Sequence, residues 1–262
     1  MLSGSKVYIL FLIQINMRRL AISDIHGCHQ TFLALLDQLQ LTKEDELYIL
    51  GDMIDRGPNS ILVMDHIMHL QEEGYKVTAL MGNHEWMFLQ AIEETIPYCW
   101  DYRRYQQWVK NGGITTMLNL GFQRSDDLKK LDKKYDAFIR SLVNYVELDK
   151  VILVHAGFNF KAEDIFKDTQ NMHWIRNFHE SIDPAKTNNR IIIHGHSTRN
   201  YETLAQDIAE MKHPAINIDC GCVYRSRPGN GYLCALDLDT LTPTFQINID
   251  AIEKKVEEAA NS

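Results

Sequence analysis

Five short clusters of carboxylate, amide and imidazole side chains carry the chemistry that this chain could perform. Each cluster directly follows a run of apolar residues. The clusters are DIHG at 24–27, GDMIDRG at 51–57, GNHE at 82–85, VHAG at 154–157 and HGHS at 194–197. Mixed oxygen and imidazole ligands suit manganese, iron or zinc better than magnesium alone. The residue types therefore indicate a hydrolytic centre with two divalent metal ions, for which manganese is the first choice and iron or zinc the alternatives.

The apolar runs in front of these clusters predict the strands of an α/β fold. Residues 19–23, 47–50, 76–81, 151–154 and 191–193 are short and rich in Ile, Leu, Val and Tyr, which is typical of buried strands. Apolar residues at helical spacing separate the first three runs. Because ligands gather at the carboxyl ends of strands in α/β sheets, we expect the five clusters to meet at one edge.

Two further segments predict helices beside this core. From 96 to 122 the alternation of strands and helices lapses, and aromatic and basic residues precede Gly112 and Gly113, so we interpret the segment as a helical cap near the site. From 126 to 144 apolar residues recur on one face of a single predicted amphipathic helix.

Asp52 is the candidate bridge between the two ions, because each of its carboxylate oxygens can bind one of them. Asp24 and His26 are the candidate ligands that complete the coordination of the first ion. The candidate ligands of the second ion are Asn83, His155 and His196. His194 competes with His196, since both stand in HGHS and cannot easily point into one site from one strand end. We favour His196 as the ligand and interpret His194 as a hydrogen-bonded buried neighbour.

Phosphate ester hydrolysis supplies a role for the remaining polar residues of the clusters. A metal pair roughly 3.5 to 4 Å apart lowers the pKa of coordinated water and clamps the attacking and leaving oxygens. His84 is the candidate proton donor to the leaving oxygen, with Asp55 orienting its ring. Arg56 and Arg176 are the candidate phosphate clamps. The alternatives are that Asp55 caps a turn, that His84 decorates a helix start, and that Arg176 stacks on a surface tryptophan.

Composition narrows the functional class and the cellular setting. The net charge of −8 argues against a broad nucleic-acid or anionic-lipid surface. The five cysteines are neither even in number nor spaced as paired CxxC zinc ligands, which fits a reducing cytoplasm. We interpret Cys28 as a small buried apolar residue. The apolar stretch 7–13 is far shorter than the ~20 residues that span a bilayer, so no membrane partner is expected.

We divide the chain into an N-terminal extension at 1–16 and one catalytic domain at 17–262. Met17 is the favoured alternative start, while an extra edge strand or a signal segment are the other interpretations of the extension. The length of 262 residues suits a single α/β domain. The sequence does not indicate an oligomeric state.

The five clusters, in this order, resemble the calcineurin-like metallophosphoesterase superfamily, and within it the phosphoprotein phosphatase branch. WVKNGG at 108–113 and WIR at 174–176 resemble its bacterial and bacteriophage members. The resemblance covers most of 19–223 and implies a four-layer sandwich in which helices flank two mixed β-sheets. It also implies a manganese-active dinuclear site and the ligand, acid and clamp positions given above. The loop at 225–231 is longer than a plain turn and departs from the family pattern.

Three functions compete on this basis. The first is a serine/threonine protein phosphatase that uses metal-activated water and also accepts small phosphoesters. The second is a symmetrical bis(5'-nucleosyl)-tetraphosphatase, which the carboxylate of Asp55 disfavours because that relative often lacks one there. The third is a catalytically silent protein that binds a phosphorylated partner, which the intact set of candidate residues disfavours.

Overall fold

A computed structural model describes residues 17–95 and 102–250. The extension at 1–16, the start of the cap at 96–101 and the residues after 250 lie outside this part of the chain. The described residues form an α/β fold with two mixed sheets flanked by helices, which confirms the expected fold class.

The first sheet has five strands. In sheet order they are β3 (Lys76–Ala79), β2 (Glu46–Ile49), β1 (Arg19–Ile22), β8 (Tyr232–Asp237) and β9 (Thr242–Ile247). β1, β2 and β3 run parallel, whereas β8 is antiparallel to both β1 and β9. Three parallel strands therefore deliver three polar clusters to the same edge.

The second sheet has four strands and repeats the principle. Its order is β4 (Tyr145–Glu147), β5 (Val151–Val154), β6 (Ile191–His194) and β7 (Ala215–Asn217). β5, β6 and β7 are parallel, and β4 pairs with β5 in the antiparallel direction. The carboxyl ends of β5 and β6 carry the two histidine clusters.

Eight α-helices and several short turns connect the strands within the described residues. The helices are α1 (His29–Leu39), α2 (Ser60–Glu72), α3 (Asn83–Thr95), α4 (Arg103–Trp108), α5 (Ile114–Asn119), α6 (Lys133–Ser141), α7 (Thr169–Trp174) and α8 (Tyr201–Glu210). Among residues 17–95 and 102–250, none of these helices combines the length and apolar character that crossing a membrane requires.

Successive side chains of each strand point to opposite faces of its sheet, and this alternation produces the layers. In β1, Leu20 and Ile22 face α1 to α3, whereas Ala21 faces the second sheet. In β5, Leu153 joins that inter-sheet cluster and Ile152 faces the opposite side with α7. Three separate apolar clusters result, one between the sheets and one outside each sheet. This arrangement is the four-layer sandwich.

The described part of the cap is helical and packs beside the first sheet. α4 and α5 are joined by a π-turn at Val109–Gly113, in which Gly112 has a positive φ of 111°. A Cβ at Gly112 would lie 2.6 Å from Cγ of Arg56, so only glycine allows the turn to approach that side chain. The cap thereby contacts the cluster that follows β2.

The single helix predicted for 126–144 is wrong. A 3-10 turn covers Ser125–Lys130, α6 begins only at Lys133, and β4 follows α6. Asp132 stands at the N-cap of α6 and accepts a hydrogen bond from the amide of Lys134. The apolar periodicity continues across the break because both pieces pack on the same core.

Candidate metal centre

Two groups of potential ligand atoms meet where the parallel strands end. One group contains His26, Asp52 and His84, and the other contains Asp52, His155 and His196. Within each group the ligand atoms lie within 4.8 Å of one another, and all five side chains are buried. These His and Asp groups can therefore hold a dinuclear metal centre.

Asp52 belongs to both groups and presents a different oxygen to each. Its Oδ2 lies 3.6 Å from Nε2 of His26, and its Oδ1 lies 3.4 Å from Nε2 of His155. The Oδ1 atom also accepts a hydrogen bond of 3.0 Å from the amide of His84. A carboxylate shared in this way has the geometry of a bridge between two ions.

Asn83 completes the second group. Its Oδ1 lies 3.1 Å from Nε2 of His155 and 2.8 Å from Nδ1 of His196. Nε2 of His196 is buried and has no hydrogen-bond partner. Burial lowers the pKa of His196 well below its ordinary value, which leaves the neutral imidazole that a metal ion requires.

The rings of His26 and His155 are oriented by backbone carbonyls. Nδ1 of His26 donates to the carbonyl of Ile54 at 2.9 Å, and Nδ1 of His155 donates to the carbonyl of Leu50 at 2.8 Å. With the proton on Nδ1, each Nε2 is left unprotonated, and it lies 3.6 Å (His26) or 3.4 Å (His155) from an oxygen of Asp52. Metal-ligating histidines commonly use this arrangement.

Asp24 lies at the same edge but outside both groups. Its carboxylate accepts hydrogen bonds from the hydroxyl of Ser23 and, at 3.1 Å, from the amide of His196. The carboxylate is thus held between the first cluster and the last. Its role as a ligand stays a prediction.

His84 and Asp55 form a buried pair. Nδ1 of His84 lies 2.7 Å from Oδ2 of Asp55 and donates to it. Nε2 of His84 is buried, has no hydrogen-bond partner and lies 3.9 Å from Oδ2 of Asp52. The free nitrogen of the pair therefore faces the place where the two groups meet.

The two predicted arginine clamps border the same place. Nη1 of Arg56 lies 2.6 Å from Nε2 of His26. Nη1 of Arg176 donates to the hydroxyl of Ser197 at 2.7 Å and to the carbonyl of His196 at 3.3 Å. Each group of ligand atoms thus has one guanidinium beside it.

Burial dominates the electrostatics of the carboxyl groups. Desolvation raises the pKa of Asp24 to about 6 and the pKa values of Asp52 and Asp55 to about 7. Asp219 lies nearby, and desolvation followed by repulsion from Asp24 raises its pKa well above the ordinary value. Bound cations favour the ionised forms and so offset this cost.

Glu85 is a site residue that sequence reasoning missed, since its position suggested only a favourable charge in the first turn of α3. Its Oε1 accepts the amides of Met53 and Ile54 at 2.7 and 3.2 Å. Its Oε2 accepts the amides of Asp52 and Gly82 at 2.9 and 3.1 Å. One buried carboxylate therefore fixes two of the ligand-bearing loops.

The cap supplies two more residues that the sequence did not assign. Nε1 of Trp108 donates to Oδ2 of Asp55 at 2.9 Å, and the hydroxyl of Thr116 donates to Oδ1 at 2.6 Å. The WVKNGG motif was the available signal for Trp108. The cap thus holds the carboxyl group of the buried pair.

The backbone of the site is strained. Among the described residues, 12 non-glycine residues have positive φ, and six of them are the predicted site residues Asp24, His26, Asp52, Asp55, Arg56 and His196. Such conformations cost about 1–3 kcal/mol each and cluster at functional sites. Gly195 permits a close approach of the last cluster to the first, because a Cβ there would overlap the hydroxyl of Ser23 and the carboxylate of Asp24.

His194 faces away from these groups. Its Nδ1 lies 3.2 Å from the carbonyl oxygen of Gly195, and its Nε2 lies 3.2 Å from Nε2 of His179. The structure therefore separates the two competing histidines, with His196 at the second group and His194 hydrogen-bonded in the interior.

A model of calcineurin-like phosphoesterases matches residues 17–220. A symmetrical bis(5'-nucleosyl)-tetraphosphatase from Nitrosomonas europaea is 32% identical over 142 residues, which are 54% of this chain and 45% of that protein. The protein of the same name from Wigglesworthia glossinidia brevipalpis is 28% identical over 149 residues, again 54% of this chain and 45% of its own length. The chain spans less than half the length of these curated relatives.

Solved structures share the fold. One described as a putative diadenosine tetraphosphatase has a TM-score of 0.59 at 15% identity and covers 91% of this chain and 96% of its own. A protein serine/threonine phosphatase from Saccharomyces cerevisiae has a TM-score of 0.56 at 14% identity and covers 90% of this chain and 81% of its own. At these identities the likeness concerns the fold alone.

Proposed function

The chain belongs to the calcineurin-like phosphoesterase family, and from that premise we propose the roles of its site residues. Asp24, His26, Asp52, Asn83, His155 and His196 hold two divalent metal ions, with Asp52 as the bridge. The observation that carries this proposal is that Asp52 directs one carboxylate oxygen toward each of two histidine groups. Two ions bound there would supply a nucleophile at neutral pH and neutralise charge on the phosphate.

The remaining residues position the substrate and handle the leaving group. The guanidinium groups of Arg56 and Arg176 bind phosphate oxygens from two sides. With both ring nitrogens protonated, His84 gives the Nε2 proton to the departing oxygen, while Asp55 accepts from Nδ1, holds the ring and stabilises its positive charge. Burial of the pair keeps water from competing for these contacts.

The first substrate candidate is a dinucleoside tetraphosphate that is cleaved symmetrically. Its support is the curated relatives, which carry that activity in their names and match about half of this chain. A phosphate clamp with arginines on two sides also suits a polyphosphate, because several anionic groups must be bound together.

The second candidate is a phosphomonoester on serine or threonine of a protein, and the buried pair favours it. An alkoxide is a poor leaving group and needs a proton, whereas a nucleoside diphosphate departs readily as an anion. The contact of 2.7 Å between His84 and Asp55 provides that proton donor. We therefore keep both substrates. The similarity to the curated relatives supports the first, and the His84–Asp55 pair supports the second.

One set of assays tests the proposal. The purified chain with Mn²⁺ is given diadenosine tetraphosphate, a phosphoserine peptide and p-nitrophenyl phosphate, and kcat/KM is compared. Exclusive formation of ADP from the dinucleotide at a higher kcat/KM supports the first candidate, and preference for the peptide supports the second. Asp52→Ala is the control, since it removes the bridge. No turnover of any substrate at saturating Mn²⁺, or full metal occupancy in Asp52→Ala, contradicts the proposal.

A further inference from the structure

Two imidazoles converge outside the candidate metal centre. Nε2 of His179 and Nε2 of His194 lie 3.2 Å apart, although 15 residues separate them along the chain. His194 is the last residue of β6 and is buried, while His179 begins a 3-10 turn at His179–Ser181 and is half-buried. Neither belongs to the groups that meet at Asp52.

The hydrogen bonding of His194 fixes where its lone pair points. Its Nδ1 faces the carbonyl oxygen of Gly195, which can only accept, so Nδ1 carries the proton. The lone pair of Nε2 therefore points at His179. His26 and His155 are held by backbone carbonyls in the same way at the candidate metal centre. A ring nitrogen presented like this is typical of a metal ligand.

The separation of the two nitrogens fits a shared ion. Imidazole nitrogens bind zinc at about 2.0–2.1 Å, and two of them on one tetrahedral ion are therefore about 3.3–3.4 Å apart. The observed 3.2 Å is close to that value. Without an ion, Nε2 of His179 donates a hydrogen bond to His194, and a metal ion would replace that single proton.

A third imidazole and open space lie beside the pair. His179 and His213 border a cavity of about 220 Å³, and their ring centroids are 6.2 Å apart. The side chain of His213 is 35% exposed, and its Nε2 lies 3.4 Å from the exposed carboxylate of Glu180. Asp207 and Glu210 of α8 also line the cavity, where they are paired with Arg199 and Lys212. To bind an ion held by His179 and His194, the His213 ring would turn away from Glu180.

We propose that His179, His194 and His213 form a third cation site, separate from the dinuclear centre, for an imidazole-preferring ion such as Zn²⁺. Such ligands select zinc, nickel or copper over magnesium and calcium. The site lies one residue away from the second ligand group along the chain, because Gly195 alone separates His194 from His196. Its existence does not rest on the substrate of the enzyme.

Counting bound zinc tests this site. The full chain is equilibrated with micromolar Zn²⁺, dialysed, and analysed for metal per chain. We expect three ions in the unchanged protein and two in both His179→Gln and His213→Gln. His66→Gln is the matched control, because His66 is a half-buried histidine near His29 and His69 but lies on α2, in another part of the fold. The control retains three ions.

Measurements in the Asp52→Ala variant distinguish this site from the dinuclear centre. Asp52→Ala empties the centre and still binds one Zn²⁺, and adding His179→Gln removes that ion. In Asp52→Ala, bound Co²⁺ gives visible absorption bands from the nitrogen-rich site, and these bands disappear when His179→Gln is added. In the otherwise unchanged protein, His179→Gln retains Mn²⁺-dependent turnover. The proposal is overturned if the unchanged protein saturates at two ions, or if the third ion persists in His179→Gln and His213→Gln alike.

Discussion

Oδ2 of Asp55 lies 2.7 Å from Nδ1 of His84, and neither side chain has measurable exposure to solvent. A carboxylate only accepts, so Nδ1 donates and the ring is fixed with Nε2 toward Asp52. Trp108 and Thr116 of the cap hold the same carboxylate. The ring of His84 is therefore positioned jointly by the first sheet and the cap.

Removing the proton donor should affect poor leaving groups most. His84→Asn is expected to lower kcat on a phosphoserine peptide by about 10²–10⁴-fold, because general acid catalysis contributes that much. p-Nitrophenyl phosphate, whose leaving group needs little protonation, should lose much less. Steady-state kinetics on both substrates measures the difference.

Metal content is the control for this variant. Because His84 is not one of the six proposed ligands, two ions should remain bound in His84→Asn. Equal losses on the two substrates, or loss of an ion, would show that His84 acts as a ligand and not as an acid.

The indole of Trp108 can be tested without removing its packing. Trp108→Phe keeps an aromatic ring near Phe88, whose ring centroid is 4.7 Å away, but loses the hydrogen bond to Asp55. The lost bond to a buried carboxyl group should lower the free energy of unfolding by about 1–3 kcal/mol. It should also raise the pKa of Asp55 further, because the indole hydrogen bond opposes the effect of burial.

A pH–rate profile distinguishes this effect from simple destabilisation. Activity that depends on ionised Asp55 falls as pH drops through its pKa, so the acidic limb of Trp108→Phe should shift to higher pH. An unchanged acidic limb would mean that the indole only fills space. Tyr105→Phe, also next to Trp108, is the matched control and should leave the limb in place.

Glu85→Gln should disturb both ligand loops at once. A carboxamide has one acceptor oxygen, so two of the four amides that Glu85 binds lose their partner and face an NH₂ group. We expect the free energy of unfolding to fall by at least about 2 kcal/mol and Mn²⁺ to bind more weakly. Urea unfolding and calorimetric titration measure the two effects.

Glu93→Gln gives the comparison, since Glu93 lies on the exposed face of α3 and pairs with Arg140 at 3.2 Å. An exposed ion pair contributes about 0–1 kcal/mol. If the two variants bind Mn²⁺ equally well, Glu85 does not position the ligands.

Metal affinity should depend on pH between about 6 and 8. Burial raises the pKa of Asp24 to about 6 and that of Asp52 to about 7, and both must be ionised to bind a cation. Protons therefore compete as pH falls through 7 and then 6, and Mn²⁺ affinity should decrease in that direction by about tenfold or more. Titration calorimetry in buffers of different ionisation enthalpy should also detect proton release.

The same pKa shifts determine how the stability of the metal-free protein changes with pH. The raised pKa values mean that the folded chain binds these protons more tightly than the unfolded chain, so their contribution is present below about pH 4 and lost as pH rises through 6 to 7. Saturating Mn²⁺ should remove this loss. A constant affinity from pH 6 to 8 would contradict both expectations.

The sequence predicted the convergence of the site because one rule of α/β sheets covers it. The rule places the polar residues after β1, β2 and β3 at the end of one sheet and those after β5 and β6 at the end of the other, and the packing of the two sheets brings both sets together. The rule says nothing about which oxygen of Asp52 faces which ring. It also cannot predict that Glu85 collects amides from another loop, because those contacts depend on how the loops fold together.

The contacts of the cap and the break before α6 show the same limit of prediction from sequence. Trp108 and Thr116 reach Asp55 from 53 and 61 residues away, and no local pattern fixes such distances. The break before α6 was missed because apolar periodicity reports burial and not backbone continuity. The interpretations of 1–16 and of the first cap residues lie outside the described part of the chain.

The left-handed backbone at Asp24, His26, Asp52 and His196 has a consequence for attempts to re-engineer this protein. At these positions a substitution changes the preferred backbone torsion angles as well as the side chain. β-branched residues strongly disfavour a positive φ, so they would destabilise the main chain whatever their ability to bind metal. Asparagine and aspartate tolerate that region best among residues with a side chain. A library intended to alter ion preference should therefore draw first on those two residues and on glycine.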